Sequence, residues 1–244
     1  MAELRMSLLL RKAFAELLGS LLLTAAVVGS GIAASRLSPH DAGLQLLENA
    51  LTTGAALVAL ILALGPVSAA FNPVVTLVER FYGVLTTAEA AAFVGAQIVG
   101  CSLGAMLANL MYDLPLVTLS THHRQGVGLL LGEVVATFGL VVVIFGVLRS
   151  RKADLLPFAV GGYIVAAYWF TSSTSFANPA ITLGRTLTDT FAGIAPSSVA
   201  PFVLMQVLGG ALAAAALIVL YPDTPAVAAE TPWRDPRRSV TVRS

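Results

Sequence analysis

The chain has 244 residues, of which 57% are hydrophobic and 11% are charged, and its formal net charge is +1. Soluble domains carry about 25% charged residues, so this composition excludes a soluble globular protein, and the small net charge gives no reason to expect nucleic-acid binding. Cys101 is the single cysteine, which excludes an intrachain disulfide. We therefore expect an integral membrane protein.

Six apolar segments follow one another along the chain, each long enough, or nearly so, to cross about 30 Å of hydrocarbon as a helix. If the N-terminus is cytoplasmic, eleven Lys and Arg residues lie on the cytoplasmic side and three on the other. Because cytoplasmic loops are enriched in Lys and Arg, we expect both termini inside. The predicted spans are 13–34, 43–65, 88–111, 127–148, 155–171 and 199–221.

Two short segments interrupt the apolar pattern in the same way. "FNPVVTLVER" at 71–80 lies between the second and third spans, and "FANPAITLGR" at 176–185 lies between the fifth and sixth. Asn is favoured at a helix N-cap and Pro at the first helical position, so both segments are predicted to begin helices. Each would run for about eight residues, or ~12 Å, so two such helices placed N-end to N-end nearly span the membrane.

The chain also repeats internally, since Glu, Asn-Pro and Gln recur in the same order in both halves. The separations are 56 and 25 residues in the first half and 45 and 28 in the second. Each half has three predicted spans, an odd number, so the halves lie in opposite orientations. An inverted repeat of this kind places a functional site near the membrane midplane. The recurring residues are Glu16, Asn72 and Gln97, then Glu133, Asn178 and Gln206.

The chemistry expected of that midplane site follows from helix electrostatics. A helix N-terminus carries about half a positive charge, so two meeting N-termini oppose the passage of a cation or proton but not of a neutral solute. The amides of Asn72 and Asn178 can hydrogen-bond a passing hydroxyl. These features predict passive conduction of small uncharged molecules.

The paired motifs Asn72-Pro73-Val74 and Asn178-Pro179-Ala180 resemble those of the major intrinsic protein family of aquaporins and aquaglyceroporins. The resemblance covers residues 13–221, with one repeat at 13–111 and the other at 127–221. It implies an all-α membrane protein, a right-handed bundle of six transmembrane helices and two half-helices in an inverted repeat. It also implies a homotetramer with one pore per subunit. Residues 1–12 would be a cytoplasmic segment and 222–244 a flexible cytoplasmic tail.

The same resemblance implies roles for the polar residues of the repeat. Asn72 and Asn178 would face the pore, and Glu16 and Glu133 would be buried carboxylates that accept backbone N–H groups from the loops before the half-helices. For Glu16, an ion pair with Lys12 at helical spacing is an open alternative. Gln97 and Gln206 are expected only to hydrogen-bond between helices, with no pore role.

The second motif departs from the family pattern at Ile181, where a narrow water pore usually has an Arg. Arg185 lies four residues further on, one helical turn away on the same face. It is a candidate for the filter, and the alternative is a solvated ion pair with Asp189. The other filter candidates are Thr53 (or Thr52), Val165 (chosen among 164–166), Ser175 and Ile181.

None of the candidates from the second and fifth spans is His or aromatic, which predicts a wide constriction. The predicted solutes are glycerol-like polyols or neutral metalloid acids such as arsenious acid, since bacterial relatives with a similarly altered motif are associated with arsenic handling. A water-selective aquaporin is the alternative, and an ion-coupled transporter is a further one. The spans contain no His, Lys or Asp that could form a catalytic cluster, so we expect no enzyme, cofactor or metal site. We expect a multi-pass protein of the plasma (inner) membrane.

Overall fold

The computed structural model describes residues 2–222, with side chains from residue 6 onward. Within that range the chain forms eight α-helices and no β-strand. Six helical segments are long and apolar enough to cross a membrane, the fifth of them, Ala153–Phe170, by combining a 3-10 turn with the helix that follows it, and two helices are short. The long helices are α1 (Ala2–Leu37), α2 (Ala42–Leu64), α4 (Thr87–Met111), α5 (Val127–Arg149), α6 (Leu156–Phe170) and α8 (Pro196–Leu220), and the short ones are α3 (Pro73–Phe81) and α7 (Pro179–Gly184).

The predicted fold class is confirmed, and five of the six long helices begin and end within a few residues of the predicted spans. The exception is α1, which has 36 residues and begins at Ala2. At 1.5 Å per residue it is about 54 Å long, well beyond a 30 Å hydrocarbon core. The helix therefore begins within the segment 1–12, for which the sequence predicts a cytoplasmic location. The predicted tail, 222–244, lies outside the described residues apart from its first.

The two halves of the bundle are each built around one close helix pair, α1 with α4 and α5 with α8. A Cβ atom at Gly100 of α4 would lie 2.4 Å from the carbonyl oxygen of Leu17 in α1. Gly209 of α8 has the equivalent position, since its Cβ would lie 2.5 Å from the carbonyl oxygen of Val134 in α5. Glycine lets the helix backbones approach closely, which is how membrane helices associate without a hydrophobic driving force.

The short helices begin where the Asn-Pro pattern predicts. The side chain of Asn72 accepts a hydrogen bond from Val74 N at 3.0 Å, and that of Asn178 accepts one from Ala180 N at 3.0 Å. Pro73 and Pro179 occupy the first turns, where a missing N–H costs nothing. The helix α7 is shorter than predicted, because it ends at Gly184 and continues as a 3-10 turn, Arg185–Leu187.

Candidate functional site

A cavity runs past the point where α3 and α7 meet. Asn72 and Asn178 line it, together with apolar side chains from α1, α2, α5 and α6. Glu79 lines it on the side of the C-terminal end of α3, and Arg185 lines it beyond the end of α7. The cavity therefore follows both half-helices outward from their shared N-terminal junction.

The two Asn side chains connect the half-helices to each other. The Nδ2 atom of Asn72 donates to the backbone oxygen of Ala177 at 2.7 Å, and that of Asn178 donates to the oxygen of Phe71 at 2.7 Å. Each amide thus binds the residue that precedes the other motif. Since each Oδ1 atom caps its own helix, one N–H of each amide remains for a solute in the cavity.

Phe71 and Ala177 have a backbone conformation that side-chain-bearing residues rarely adopt. Their φ angles are 48° and 47°, in the left-handed region. This conformation turns each carbonyl toward the Asn of the opposite half, and it requires support from the surrounding structure. The buried carboxylates Glu16 and Glu133 provide that support.

Glu16 and Glu133 are both fully buried and bind equivalent backbone groups. Glu16 accepts from Ala70 N at 2.9 Å and from Phe71 N at 2.7 Å. Glu133 accepts from Phe176 N at 2.9 Å and from Ala177 N at 3.0 Å. A carboxylate has two accepting oxygens, so it can bind two neighbouring N–H groups of a strained loop. The carboxylate of Glu16 is thus engaged with the loop, as in the first of the two sequence interpretations.

Each glutamine of the repeat links its glutamate to a half-helix. Gln97 donates from Nε2 to Glu16 at 2.8 Å and to the hydroxyl of Thr76 in α3 at 3.0 Å. Gln206 likewise donates to Glu133 and, at 2.9 Å, to Thr182 in α7. Neither glutamine lines the cavity. They connect long helices to half-helices, which is the interhelical role expected for them.

Arg185 is buried, with 3% of its surface exposed, and lines the cavity. Its Nε atom donates to the backbone oxygen of Ala192, and its guanidinium carbon lies 3.4 Å from the centroid of the Phe176 ring. The alternative of a solvated pair with Asp189 is wrong. Asp189 instead accepts from Thr121 N at 2.8 Å and lies 3.7 Å from the His122 ring.

Three further filter candidates, Thr53, Ser175 and Ile181, also line the cavity. Val165 does not, because it packs against Gly54 at the interface of α6 with α2. The residues of α6 that line the cavity near its Arg185 end are Ile164 and Tyr168, and the Tyr168 hydroxyl lies 3.2 Å from that of Thr53. The candidates chosen from the fifth span, 164–166, therefore did not include its aromatic lining residue, Tyr168.

The motif residues that follow the two Asn caps point away from the cavity. Val74 is buried against Gly210 of α8, and Ala180 is fully buried. Neither is among the side chains that line the cavity, and nor are Pro73 and Pro179. The four residues shape the helix starts, whereas Asn72 and Asn178 provide the polar groups.

Sequence reasoning missed Arg124, in the loop before α5. Its Nε atom donates to Gly193 O at 3.1 Å, and its guanidinium carbon lies 4.9 Å from the Phe176 centroid. Burial lowers the pKa of its guanidinium. The loop is held over the end of α7, where Ser120 N donates to Thr186 O at 3.0 Å. A second arginine therefore packs on the Phe176 ring, which the Arg185 guanidinium also contacts.

No cluster of metal-ligating side chains occurs among residues 6–222. His122 and His123 lie in the loop before α5, away from the cavity lining. Cys101 is fully buried and is also absent from the lining. These residues add no chemistry to the site.

Two half-helices that meet at their N-termini beside a cavity, inside six membrane-length helices, define a membrane channel fold. The chain belongs to the major intrinsic protein family, whose model matches residues 3–175. It is 47% identical over 230 residues to the aquaglyceroporin AqpS of Rhizobium meliloti (strain 1021), covering 93% of this chain and 98% of that protein. The protein is thus a multi-pass membrane channel for small solutes.

Two other similarities support the same family and fold. Aquaporin NIP1-2 of Arabidopsis thaliana is 30% identical over 190 residues, covering 72% of this chain and 63% of the plant protein. The X-ray structure of the aquaglyceroporin from Plasmodium falciparum superposes with a TM-score of 0.68 at 19% identity, over 88% of this chain and 98% of that one. At that identity the superposition supports the fold alone.

Proposed function

We propose that the protein is a passive, aquaglyceroporin-like channel for small uncharged solutes larger than water. The proposed solutes are glycerol-like polyols or neutral metalloid acids such as arsenious acid. The observation that carries the proposal is Ile181, an apolar side chain that lines the cavity where a narrow water pore of this family usually has an arginine. The 47% identity to a protein named as an aquaglyceroporin supports the same solute class.

The Arg185 end of the cavity combines polar and apolar groups, as a polyol does. Thr53, Ser175, Tyr168 and Arg185 are its polar lining residues, and Ile164 and Ile181 add apolar surface. A polyol can hydrogen-bond with polar side chains and contact the apolar ones with its carbon atoms. We propose this region as the selectivity filter.

The junction of α3 and α7 supplies the second interaction point. Each Asn amide has one N–H left for a solute oxygen, and both helix N-termini are positive at this depth. A cation meets repulsion there, whereas an uncharged solute exchanges hydrogen bonds with water for hydrogen bonds with Asn72 and Asn178. This favours conduction of neutral molecules without an energy source.

A water-selective aquaporin is the second candidate, and one observation favours it. Tyr168 and Phe176 line the cavity beside Arg185, so that end is bulkier than a filter of small side chains. An ion-coupled transporter is less well supported, because Glu16 and Glu133 are engaged with the loop backbone and do not line the cavity.

Orientation and assembly complete the proposal. Eleven of the 14 Lys and Arg residues fall on one side of the predicted spans, which supports cytoplasmic termini in the plasma (inner) membrane. We propose a channel domain at 13–221, with repeats at 13–111 and 127–221, assembled as a homotetramer. Family membership supports that assembly, with one pore in each subunit.

The experiment that tests the channel is glycerol flux into proteoliposomes, followed by stopped-flow light scattering. Flux should rise linearly with the glycerol gradient and proceed without any ion gradient, because a channel does not cycle between states. Saturation at millimolar glycerol, or a requirement for a proton or sodium gradient, would overturn the channel in favour of a transporter. Empty liposomes provide the baseline.

A further inference from the structure

A groove between α3 and α8 opens on the outer surface of the helix bundle and shares no lining residue with the cavity described above. Its floor includes Gly210 and Ala214, and its rim includes the exposed side chains Leu77, Phe81 and Ile218. Its volume of about 250 Å³ greatly exceeds the roughly 30 Å³ share of one water molecule. All the side chains that line it are apolar, so it cannot hold ordered water and suits an apolar occupant.

A difference between the two repeats accounts for the groove. In the second repeat α7 packs directly on α4, since a Cβ atom at Gly184 would lie 2.7 Å from the backbone oxygen of Cys101. The first repeat has Val78 at the position of Gly184, six residues after the Asn of its motif. Val74, which departs from the family motif, occupies the space above Gly210 of α8. The two valines therefore stand between the backbones, and α3 contacts α8 less closely than α7 contacts α4.

The groove has the length and position of one bilayer leaflet. Along α8 its lining extends from Val207 to Ile218, which is about 16 Å of helix and about half of a 30 Å hydrocarbon core. Along α3 it extends from Val74, beside the Asn junction, to Phe81 at the end of the half-helix. Since α8 is one of the membrane-length segments, the open side of the groove faces hydrocarbon.

A cation lies at the outer end of the groove. Arg80 directly precedes Phe81, and its side chain is exposed. Its Nε atom donates to the Thr87 hydroxyl at 3.0 Å, which uses one of the five N–H groups of the guanidinium. Arginine binds phosphate well, and anionic headgroups lie at the membrane surface. A leaflet-length apolar groove that ends at an arginine therefore complements a phospholipid.

We propose that this groove binds one acyl chain of a phospholipid, with the lipid phosphate at the Arg80 guanidinium. The chain occupies the space that Val74 and Val78 keep open between the helices. It restores dispersion contacts that the walls of an empty groove lack. The lipid thereby completes the packing of α3, the half-helix that Asn72 caps. This role does not depend on which solute the cavity conducts.

Native mass spectrometry of the full chain, purified in detergent and supplied with dioleoyl phosphatidylglycerol, tests the site. Ala215→Leu fills the groove, because Ala215 lines it and is exposed. We expect this variant to retain one phospholipid fewer per subunit than the wild type. The rise in thermal unfolding temperature that the lipid causes should also be at least twofold smaller. Ala91→Leu is the matched control and should behave like the wild type, since Ala91 is exposed on α4 and lies outside the groove.

The phosphate contact is tested separately with Arg80→Gln. We expect the Kd for dioleoyl phosphatidylglycerol to rise at least threefold in this variant. Binding of dioleoylglycerol, which has the same acyl chains and no phosphate, should stay unchanged. An unchanged Kd for the phospholipid, or an equal loss of both lipids, would overturn the assignment of the phosphate to Arg80.

The same spectra give the number of bound lipids and the mass of the oligomer, so they distinguish the other occupants. If Ala215→Leu retains as many lipids as the wild type in an unchanged oligomer, the groove does not bind lipid. If the lipid number is unchanged and the oligomer dissociates, the groove is a contact between subunits. Either result overturns the inference. If Ala215→Leu does not fold, Ala211→Leu, which fills the same groove, is measured in its place with the same result expected.

Discussion

The side-chain amide of Asn178 donates a 2.7 Å hydrogen bond to the backbone oxygen of Phe71, which belongs to the opposite repeat. Asn72 makes the equivalent bond to Ala177. Each half-helix therefore has its cap side chain bound to the loop that begins the other one. The two half-helices therefore support each other, and each repeat helps to position the half-helix of the other.

Replacement of Asn72 by Ala is expected to destabilise the protein. It removes a helix cap, worth about 0.5–2 kcal/mol, and leaves the buried oxygen of Ala177 without a donor, which costs about 1–3 kcal/mol. Asn178→Ala should cost a similar amount, because its bonds are equivalent. Thermal unfolding in detergent measures both. If both variants were as stable as the wild type, the two half-helices would not depend on each other's Asn side chains.

Replacement of Glu133 by Gln should also impair folding. The carboxylate accepts from Phe176 N and Ala177 N, whereas a glutamine amide has only one accepting oxygen and turns a donor toward one N–H. An unpaired buried N–H costs about 1–3 kcal/mol, and Ala177 loses support for its positive φ. The yield of folded protein by size-exclusion chromatography measures the effect. Glu16→Gln should have the same effect. Normal yields of both variants would show that these carboxylates are not needed to hold the loops before the half-helices.

Removal of the Arg185 guanidinium is expected to open the filter. In Arg185→Met, the cavity loses the guanidinium that lines this end, so glycerol flux in proteoliposomes should rise several-fold. Arg124→Met is the matched comparison, since Arg124 also lies over the Phe176 ring but at 4.9 Å and outside the lining. It should change the flux less. Equal effects of the two variants would show that Arg185 has no special place in the filter.

An arginine at position 181 should restore a narrow filter. Ile181 lines the cavity and is 7% exposed, so a guanidinium there would project into the conduit. We expect Ile181→Arg to lower glycerol flux at least tenfold and water flux much less, because water is the smaller solute. Ile181→Met, which changes shape but adds no charge, is the control. A parallel fall of both fluxes in Ile181→Arg would indicate a blocked pore instead of a selective one.

Much of this architecture could be predicted because its signals are local or repeated. The six spans follow from uninterrupted apolar length, and the half-helix starts follow from Asn-Pro capping chemistry. Glu16 and Glu133 stood out because a carboxylate inside a span needs a partner. The internal repeat then paired each glutamate with one Asn-Pro segment.

The filter was harder to predict because it depends on how α6 is rotated about its axis. This helix is apolar on all sides, so its sequence does not mark which face is inward. Packing of Val165 against Gly54 decides the rotation and directs Ile164 and Tyr168 to the cavity. Arg124 was missed for a related reason, since only the folded loop brings it to Phe176.

The most direct test of the central claim is a side-by-side swelling assay of the wild-type protein in proteoliposomes. Gradients of water, glycerol, urea and arsenious acid are compared in one preparation, with empty liposomes as the baseline. We expect glycerol and arsenious acid to enter well above the baseline, because Ile181 leaves the usual arginine position apolar. Passage of water alone, with the other three solutes at the baseline, would contradict the claim.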